Sequence, residues 1–323
     1  MSSSRPATPT ARVDPIIGID LGTTNSVIAV ADAAGPRILV GADGDDLVPS
    51  VVRYGDDGVE VVGREAAASL RDHPERTAYS IKRFMGRSLA DRLPEARAMS
   101  YPVVEGPRGL AAIGIGDRPR TPQEVSAALL GHLRARAEEA LDQPVRRAVV
   151  TVPAYFDDAQ RQATRDAGRL AGLDVVRILN EPTAAALAYG IGEGRSPETI
   201  AVYDLGGGTF DITILEVLPP EGDEEEAIFR VLSTAGDSRL GGDDFDRLLV
   251  TDLLSEVGEA DLDSPTAARR RALLREVGER AKIALGESDA TRLLVDGGGI
   301  LPDVDRVLER TDFERRARPL IDR

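Results

Sequence analysis

Ile16-Ile17-Gly18-Ile19-Asp20-Leu21-Gly22-Thr23-Thr24-Asn25-Ser26-Val27-Ile28-Ala29-Val30-Ala31 reads as strand, turn and returning strand, and the same device recurs far downstream in Thr199-Ile200-Ala201-Val202-Tyr203-Asp204-Leu205-Gly206-Gly207-Gly208-Thr209-Phe210-Asp211-Ile212-Thr213-Ile214-Leu215. Each copy has an apolar strand ending in Asp-Leu-Gly, then small residues, then an apolar strand leading away. Repetition at this distance points to two related lobes rather than a solenoid, whose periods are much shorter.

The stretches between the hairpins alternate helix and strand signals. Thr121-Pro122-Gln123-Glu124 opens a helix to about Leu141, with Thr as N-cap, Pro at the first helical position and Glu at the third. Ala148 to Val152 is a short buried strand that stops at Pro153. Asp157 or Asp158 caps a helix through Ala171, which Gly172 ends. Val175 to Leu179 is a strand and Pro182 to Tyr189 a helix. Such alternation means an α/β fold. Residues 1–14 read as a disordered tail, 15–195 as a first lobe and 196–323 as a second. Residues 41–120, rich in Gly, Pro and Asp, look like a subdomain inserted in the first lobe. Residues 259–285 read as a charged amphipathic helical region, Glu221 to Glu226 as a solvated hairpin loop, and Arg269 to Arg271 and Arg315-Arg316 as exposed helix faces.

Composition narrows the chemistry. The 323 residues are 42% hydrophobic and 29% charged, ordinary for a globular chain with a core of Ala, Val, Ile and Leu. A net charge of −15 argues against nucleic acid or anionic membrane as partner, since both need clustered positive charge. The absence of Cys excludes disulfides, thiolate metal sites and Cys nucleophiles, and two well-separated His residues (His73 and His132) leave little for a zinc site or a Ser-His-Asp triad. The N-terminus has no apolar signal-peptide core, so a cytoplasmic protein is expected. Of 40 basic residues only two are Lys, Lys82 and Lys282, and only two residues are Asn, Asn25 and Asn180. A Lys kept in a sequence that otherwise uses Arg suggests a place where a compact point charge is needed.

The chain has no Walker P-loop, and Gly114-Ile115-Gly116 lacks the third Gly of a dinucleotide fingerprint. The paired turns are the better phosphate cradle. Their glycines let backbone amides approach an anion, and their threonines offer hydroxyls. Asp20 and Asp204 each end a strand beside a turn, and two carboxylates facing each other across phosphates make sense with Mg²⁺ between them.

These residues carry a resemblance. Gly18 to Ser26 and Tyr203 to Asp211 look like the two phosphate motifs of the seventy-kilodalton heat-shock chaperones of DnaK/HscA type. Thr151-Val152-Pro153-Ala154-Tyr155-Phe156 and Asn180-Glu181-Pro182-Thr183-Ala184-Ala185-Ala186 match the same family, and the likeness runs from residue 16 to about 320. Ile81 to Asp91 and Gly236 to Asp246 lean towards the HscA branch, which serves iron–sulfur cluster assembly. The resemblance implies an actin-like (ribonuclease H-like), two-lobed ATPase with ATP or ADP and Mg²⁺ in its cleft. Carried over by position, Gly22, Thr23, Thr24, Gly206, Gly207, Gly208, Thr209, Gly241 and Gly242 would hold phosphate, and Glu279 and Lys282 would lie along the adenosine. Asp20, Glu181 and Asp204 would hold the waters of Mg²⁺. Lys82 would sit by the γ-phosphate and orient the attacking water, with Asp204, Asp211 and Glu181 sharing the catalytic work. Pro153 and Arg161 would relay nucleotide state to a peptide-binding domain. Implied partners are a J-domain co-chaperone, a nucleotide-exchange factor, and client proteins engaged through a C-terminal domain.

Against the family pattern, Gly286 stands where a Ser is usual. The chain also ends at Arg323, before the last glycine-rich adenosine loop, so the second lobe is expected to be incomplete. Two other functions remain open at this stage. One is a nucleotide-binding or co-chaperone-docking module that does not turn over ATP; the other is a different actin-like protein, a sugar kinase or filament former.

Overall fold

The two-residue period of the strand Ile16–Leu21 (β1) buries Ile17, Ile19 and Leu21 on one face, and the strand anchors the larger sheet. The computed structural model describes residues 14–42, 44–91, 96, 98–115, 118–189, 196–220, 227–257 and 266–323. β1 runs antiparallel to β2 (Asn25–Asp32), which pairs with both β3 (Gly35–Ile38) and the short β4 (Val48–Pro49). Then follow β5 (Val52–Gly55), β6 (Gly58–Val62), helix α1 (Arg64–Ala68), β7 (Thr77–Ala78), β8 (Val103–Glu105) and β9 (Ala111–Ile113) in small antiparallel sheets. Helix α2 (Pro122–Leu141), β10 (Arg147–Val152), α3 (Asp158–Leu170), β11 (Asp174–Asn180) and α4 (Glu181–Ala188) complete this half. The main sheet has the order β11-β10-β1-β2-β3, with β1, β10 and β11 parallel.

The capping signals hold. Thr121 and Glu124 form a reciprocal capping box at the start of α2. Asp157, not Asp158, is the N-cap of α3, reciprocated by Gln160. Gly172 takes the left-handed conformation (φ 76°) just after that helix. Among the described residues, 41–120 build no core apart from the sheet. Val48, Val52, Tyr54, Ala78, Phe84 and Ile113 join one hydrophobic cluster with β1, β2, β10 and the inner faces of α2 and α3.

The second half contains β12 (Glu198–Leu205), β13 (Phe210–Leu218), β14 (Ile228–Asp237), α5 (Gly242–Val257), α6 (Ala267–Glu287), β15 (Ala290–Val295), β16 (Val304–Glu309) and α7 (Arg310–Ile321). β12, β13 and β14 make an antiparallel meander, and β15 and β16 a hairpin. A separate cluster forms here from Leu249 and Leu253 of α5, Leu273, Leu274, Val277, Ala281 and Leu285 of α6, and the hairpin's inner residues. Among the described residues two cores form, one per half, a two-lobed arrangement. Among the described residues no helix is long and apolar enough to cross a membrane.

Two arginine groups need correcting. Arg270 and Arg271 are half-buried, Arg270 donating Nε to the Ile300 carbonyl at 2.6 Å. Arg316 bonds Asp252 of α5, so only Arg269 and Arg315 have the exposed faces expected. The solvated loop expected at 221–226 and most of the tail lie outside the described residues.

Candidate active site

The two repeated turns meet across the gap between the lobes. In the first, a Cβ on Gly22 would lie 2.0 Å from the carbonyl oxygen of Asn25, so only glycine closes this turn. Ser50 braces it, donating Oγ to the Gly22 carbonyl at 2.8 Å and N–H to the Thr24 carbonyl at 2.8 Å. The second turn presses against the first. A Cβ on Gly207 would sit 1.9 Å from Thr24 Oγ1, and one on Gly208 would sit 2.5 Å from Thr23 Cγ2. Behind it, the first amides of α5 point at its carbonyls: Gly242 N–H donates to Gly206 O at 3.0 Å and Asp243 N–H to Gly207 O at 2.8 Å. A helix start has amides to spare, and here they fix the turn from the side away from the cleft.

Asp20, Gly22, Thr23, Thr24, Lys82, Thr151, Glu181, Asp204, Gly206, Gly207 and Thr209 line one cleft of about 530 Å³. Asp20 sits opposite Thr151 in the parallel β1–β10 register, and Thr151 donates its hydroxyl to Asp20 Oδ1 at 2.8 Å. Glu181 is the first residue of α4. Lys82 comes from a 3₁₀ turn (Ile81–Phe84) and donates Nζ to Glu181 Oε1 at 2.6 Å, with both side chains nearly buried. That ion pair is the direct contact of Lys82; Asp204 and Asp211 feel its charge at longer range. The ammonium also lies 5.8 Å above the Phe156 ring centre.

Electrostatically the site lacks positive charge. Burial raises the Glu181 carboxyl above its usual range, and Asp20 and Asp204 raise it further against the pull of Lys82. Burial and the charge of Asp20 also raise Asp204. Asp211, directly opposite Asp204 in the β12–β13 register, is 2% exposed, and burial pushes it up to about 7 although the Ala154 amide donates to it at 3.2 Å. Three carboxylates around one ammonium leave an excess of negative charge that a divalent cation would neutralise, and hard oxygen donors suit Mg²⁺. Among the described residues no group of three His, Cys, Asp or Glu could chelate an ion directly.

Other expected residues sit outside the cleft. Gly241 backs Gly207, where an added Cβ would come 2.6 Å from backbone. Lys282 Nζ lies 2.7 Å from Asp246 Oδ1 and 3.3 Å from the Gly242 carbonyl, and Glu279 lies 3.9 Å from Arg275. Neither Lys282 nor Glu279 lines the cleft. Pro153 is buried at the end of β10. Arg161 donates to the carbonyls of Phe156 at 2.9 Å and Ala154 at 3.0 Å and to Asn180 Oδ1 at 2.9 Å. It thus ties the Pro153–Phe156 turn to the residue preceding Glu181. Sequence reasoning missed Thr151 as the partner of Asp20, and gave no role to Arg83, Asp243, Asp244 or Asp246. The only available signal was the run Gly241-Gly242-Asp243-Asp244 at a helix start.

The family model described as Hsp70 protein matches residues 16–323. The chaperone protein DnaK of Buchnera aphidicola subsp. Schizaphis graminum (strain Sg) is 45% identical over 281 residues, which is 85% of this chain and 43% of that relative. The chain therefore spans less than half the length of that curated relative. On a match running from β1 to its last residue, the chain belongs to the Hsp70 protein family.

Proposed function

We propose that the cleft binds ATP with Mg²⁺ and hydrolyses its terminal phosphate, serving as the nucleotide-driven part of a chaperone. The observation that carries this reading is the nearly buried Lys82–Glu181 pair set beside Asp20 and Asp204, between two glycine turns that leave room only for backbone and threonine. The cleft's size suits a ligand as large as a nucleotide. Thr23, Thr24, Gly206, Gly207, Gly208 and Thr209 would cradle phosphate oxygens, while Lys82 places its charge where the terminal phosphate and attacking water meet. Glu181, next to it, would take part in orienting that water. Mg²⁺, when bound through the waters held by Asp20, Glu181 and Asp204, supplies charge neutralisation to the phosphates. Asp211, its carboxyl pushed by burial up to about 7, is about half protonated at neutral pH and is poised to exchange a proton near the same strand end.

At the level of the whole protein, the reading extends to client folding coupled to the nucleotide cycle, with a J-domain co-chaperone and a nucleotide-exchange factor as partners. Support for that extension is the likeness to a chaperone protein. The Arg161 bridge between the Pro153 turn and the start of α4 supports a relay role for Pro153 and Arg161.

Lys82→Ala tests the central assignment. Single-turnover ATP hydrolysis should fall at least about a hundredfold, while ATP affinity measured by calorimetry changes little, because the interaction belongs to the transition state. An unchanged hydrolysis rate would remove Lys82 from the reaction.

A further inference from the structure

Lys82 lies in a segment gripped by the opposite lobe at four points. Tyr79 lies under the Arg275 guanidinium of α6, 4.3 Å from the ring centre. Ser80 donates its hydroxyl to Asp243 Oδ2 of α5 at 2.6 Å. Arg83 donates to both oxygens of Asp244 at 2.5 and 3.3 Å, with both side chains 1% exposed. Arg87 donates to Ser238 Oγ at 2.6 Å. Between these anchors Lys82 alone reaches the cleft and Glu181.

Ser80 also sits in the left-handed region (φ 53°, ψ 30°), where a non-glycine residue stays only if its surroundings hold it. The hydroxyl contact with Asp243 is such a hold, and it falls two residues before Lys82. Releasing Ser80 would let the backbone relax out of that conformation and rotate the following 3₁₀ turn.

We infer that Ser80 and Arg83 are positioning residues: lobe II, through Asp243 and Asp244, sets where the Lys82 ammonium stands. Closure of the lobes and placement of Lys82 are then one event. An opening that breaks the Ser80 and Arg83 contacts withdraws Lys82 from Glu181. The consequence for hydrolysis rests on the ATPase reading above, but the placement of Lys82 does not.

The sequence makes the test clean, because Lys82 and Lys282 are its only lysines. The probe is acetylation by an N-hydroxysuccinimide ester on the whole chain without nucleotide, read peptide by peptide by mass spectrometry. In the wild type Lys82 should react slowly, being 8% exposed and paired. Asp244→Asn and Ser80→Ala should each speed its reaction, by about tenfold and about threefold, as expected when a local opening loses a buried hydrogen bond. Lys282 on α6 is the internal reference and should change less than about twofold. Should Asp244→Asn fail to fold, Ser80→Ala, which removes one hydroxyl, decides alone. Lys82 staying protected, or both lysines rising together, overturns the inference. ATP hydrolysis is measured in parallel. A wild type without hydrolysis refutes the ATPase reading and leaves the lysine result to judge the positioning. Hydrolysis lowered with Kd for ATP unchanged in Ser80→Ala supports both.

Discussion

Replacing Asp246 by Asn should raise the stability of the second lobe at pH 8, even though it deletes an ion pair. Asp246 is 3% exposed at the buried face of α5, and Lys282 Nζ lies 2.7 Å away with part of its side chain in solvent. Burial outweighs the lysine and pushes the carboxyl from 3.8 up to about 6. At about 1.4 kcal/mol per pKa unit, that climb costs the folded state roughly 3 kcal/mol once the carboxyl is ionised in both states. Relaxation of the surroundings reduces the gain, so about 1–2 kcal/mol is expected at pH 8. The sign follows from proton binding. Between pH 3.8 and about 6 the unfolded chain holds fewer protons at this site than the folded one, so wild-type stability falls as pH rises through that window and levels off above it. Asn does not titrate. The advantage of the variant should therefore be near zero at pH 4, about half-grown at pH 5 and complete by pH 7. Urea unfolding followed by circular dichroism gives the difference at each pH, and hydrogen exchange localises it to α5 and α6. A variant less stable than wild type by the same amount at pH 5 and pH 8 would refute the argument, because the pair would then be a net gain. Lys282→Met is the companion: it strands the carboxylate and should cost about 3 kcal/mol at pH 8, much of it recovered at pH 5.

Gly207→Ala should weaken ATP binding at least about tenfold, because its Cβ would meet Thr24 Oγ1 at 1.9 Å and force the two glycine turns apart. Adding Thr24→Ala removes that oxygen and should restore part of the loss in a calorimetric titration; no restoration would mean the turns do not press on each other. Arg161→Ala should cost about 2–3 kcal/mol in urea unfolding, since three hydrogen bonds hold the Pro153 turn to Asn180. Faster hydrogen exchange should appear at residues 153–156 and 180–184, and exchange unchanged there would show that Arg161 ties nothing together.

The repeat of strand, Asp-Leu-Gly, small residues and strand was readable because strand period and turn chemistry are local. β1–β2 and β12–β13 pair as hairpins about those turns. Capping was equally local, so the starts of α2 and α3 were legible from Thr121 and Asp157. The site residues were named because Asp20, Lys82, Glu181 and Asp204 lie in recognisable runs of sequence, and the structure brings those four into one cleft. What they touch was another matter. The partner of Lys82 is Glu181, 99 positions away, and that of Arg83 is Asp244, 161 positions away, so no spacing rule connects them. α5 went unread, although its first amides fix the second glycine turn, because its start offers only the acidic pair Asp243-Asp244 after two glycines, with no Ser, Thr, Asp or Asn cap before Gly242. The left-handed Ser80 has no sequence signature, since its bond to Asp243 joins residues 163 positions apart. Local periodicity and turn chemistry determined the elements and the residues at their ends. Burial and long-range pairing, which exist only once the lobes pack, raised the Glu181, Asp204 and Asp211 carboxyls and decided where the one cleft lysine stands.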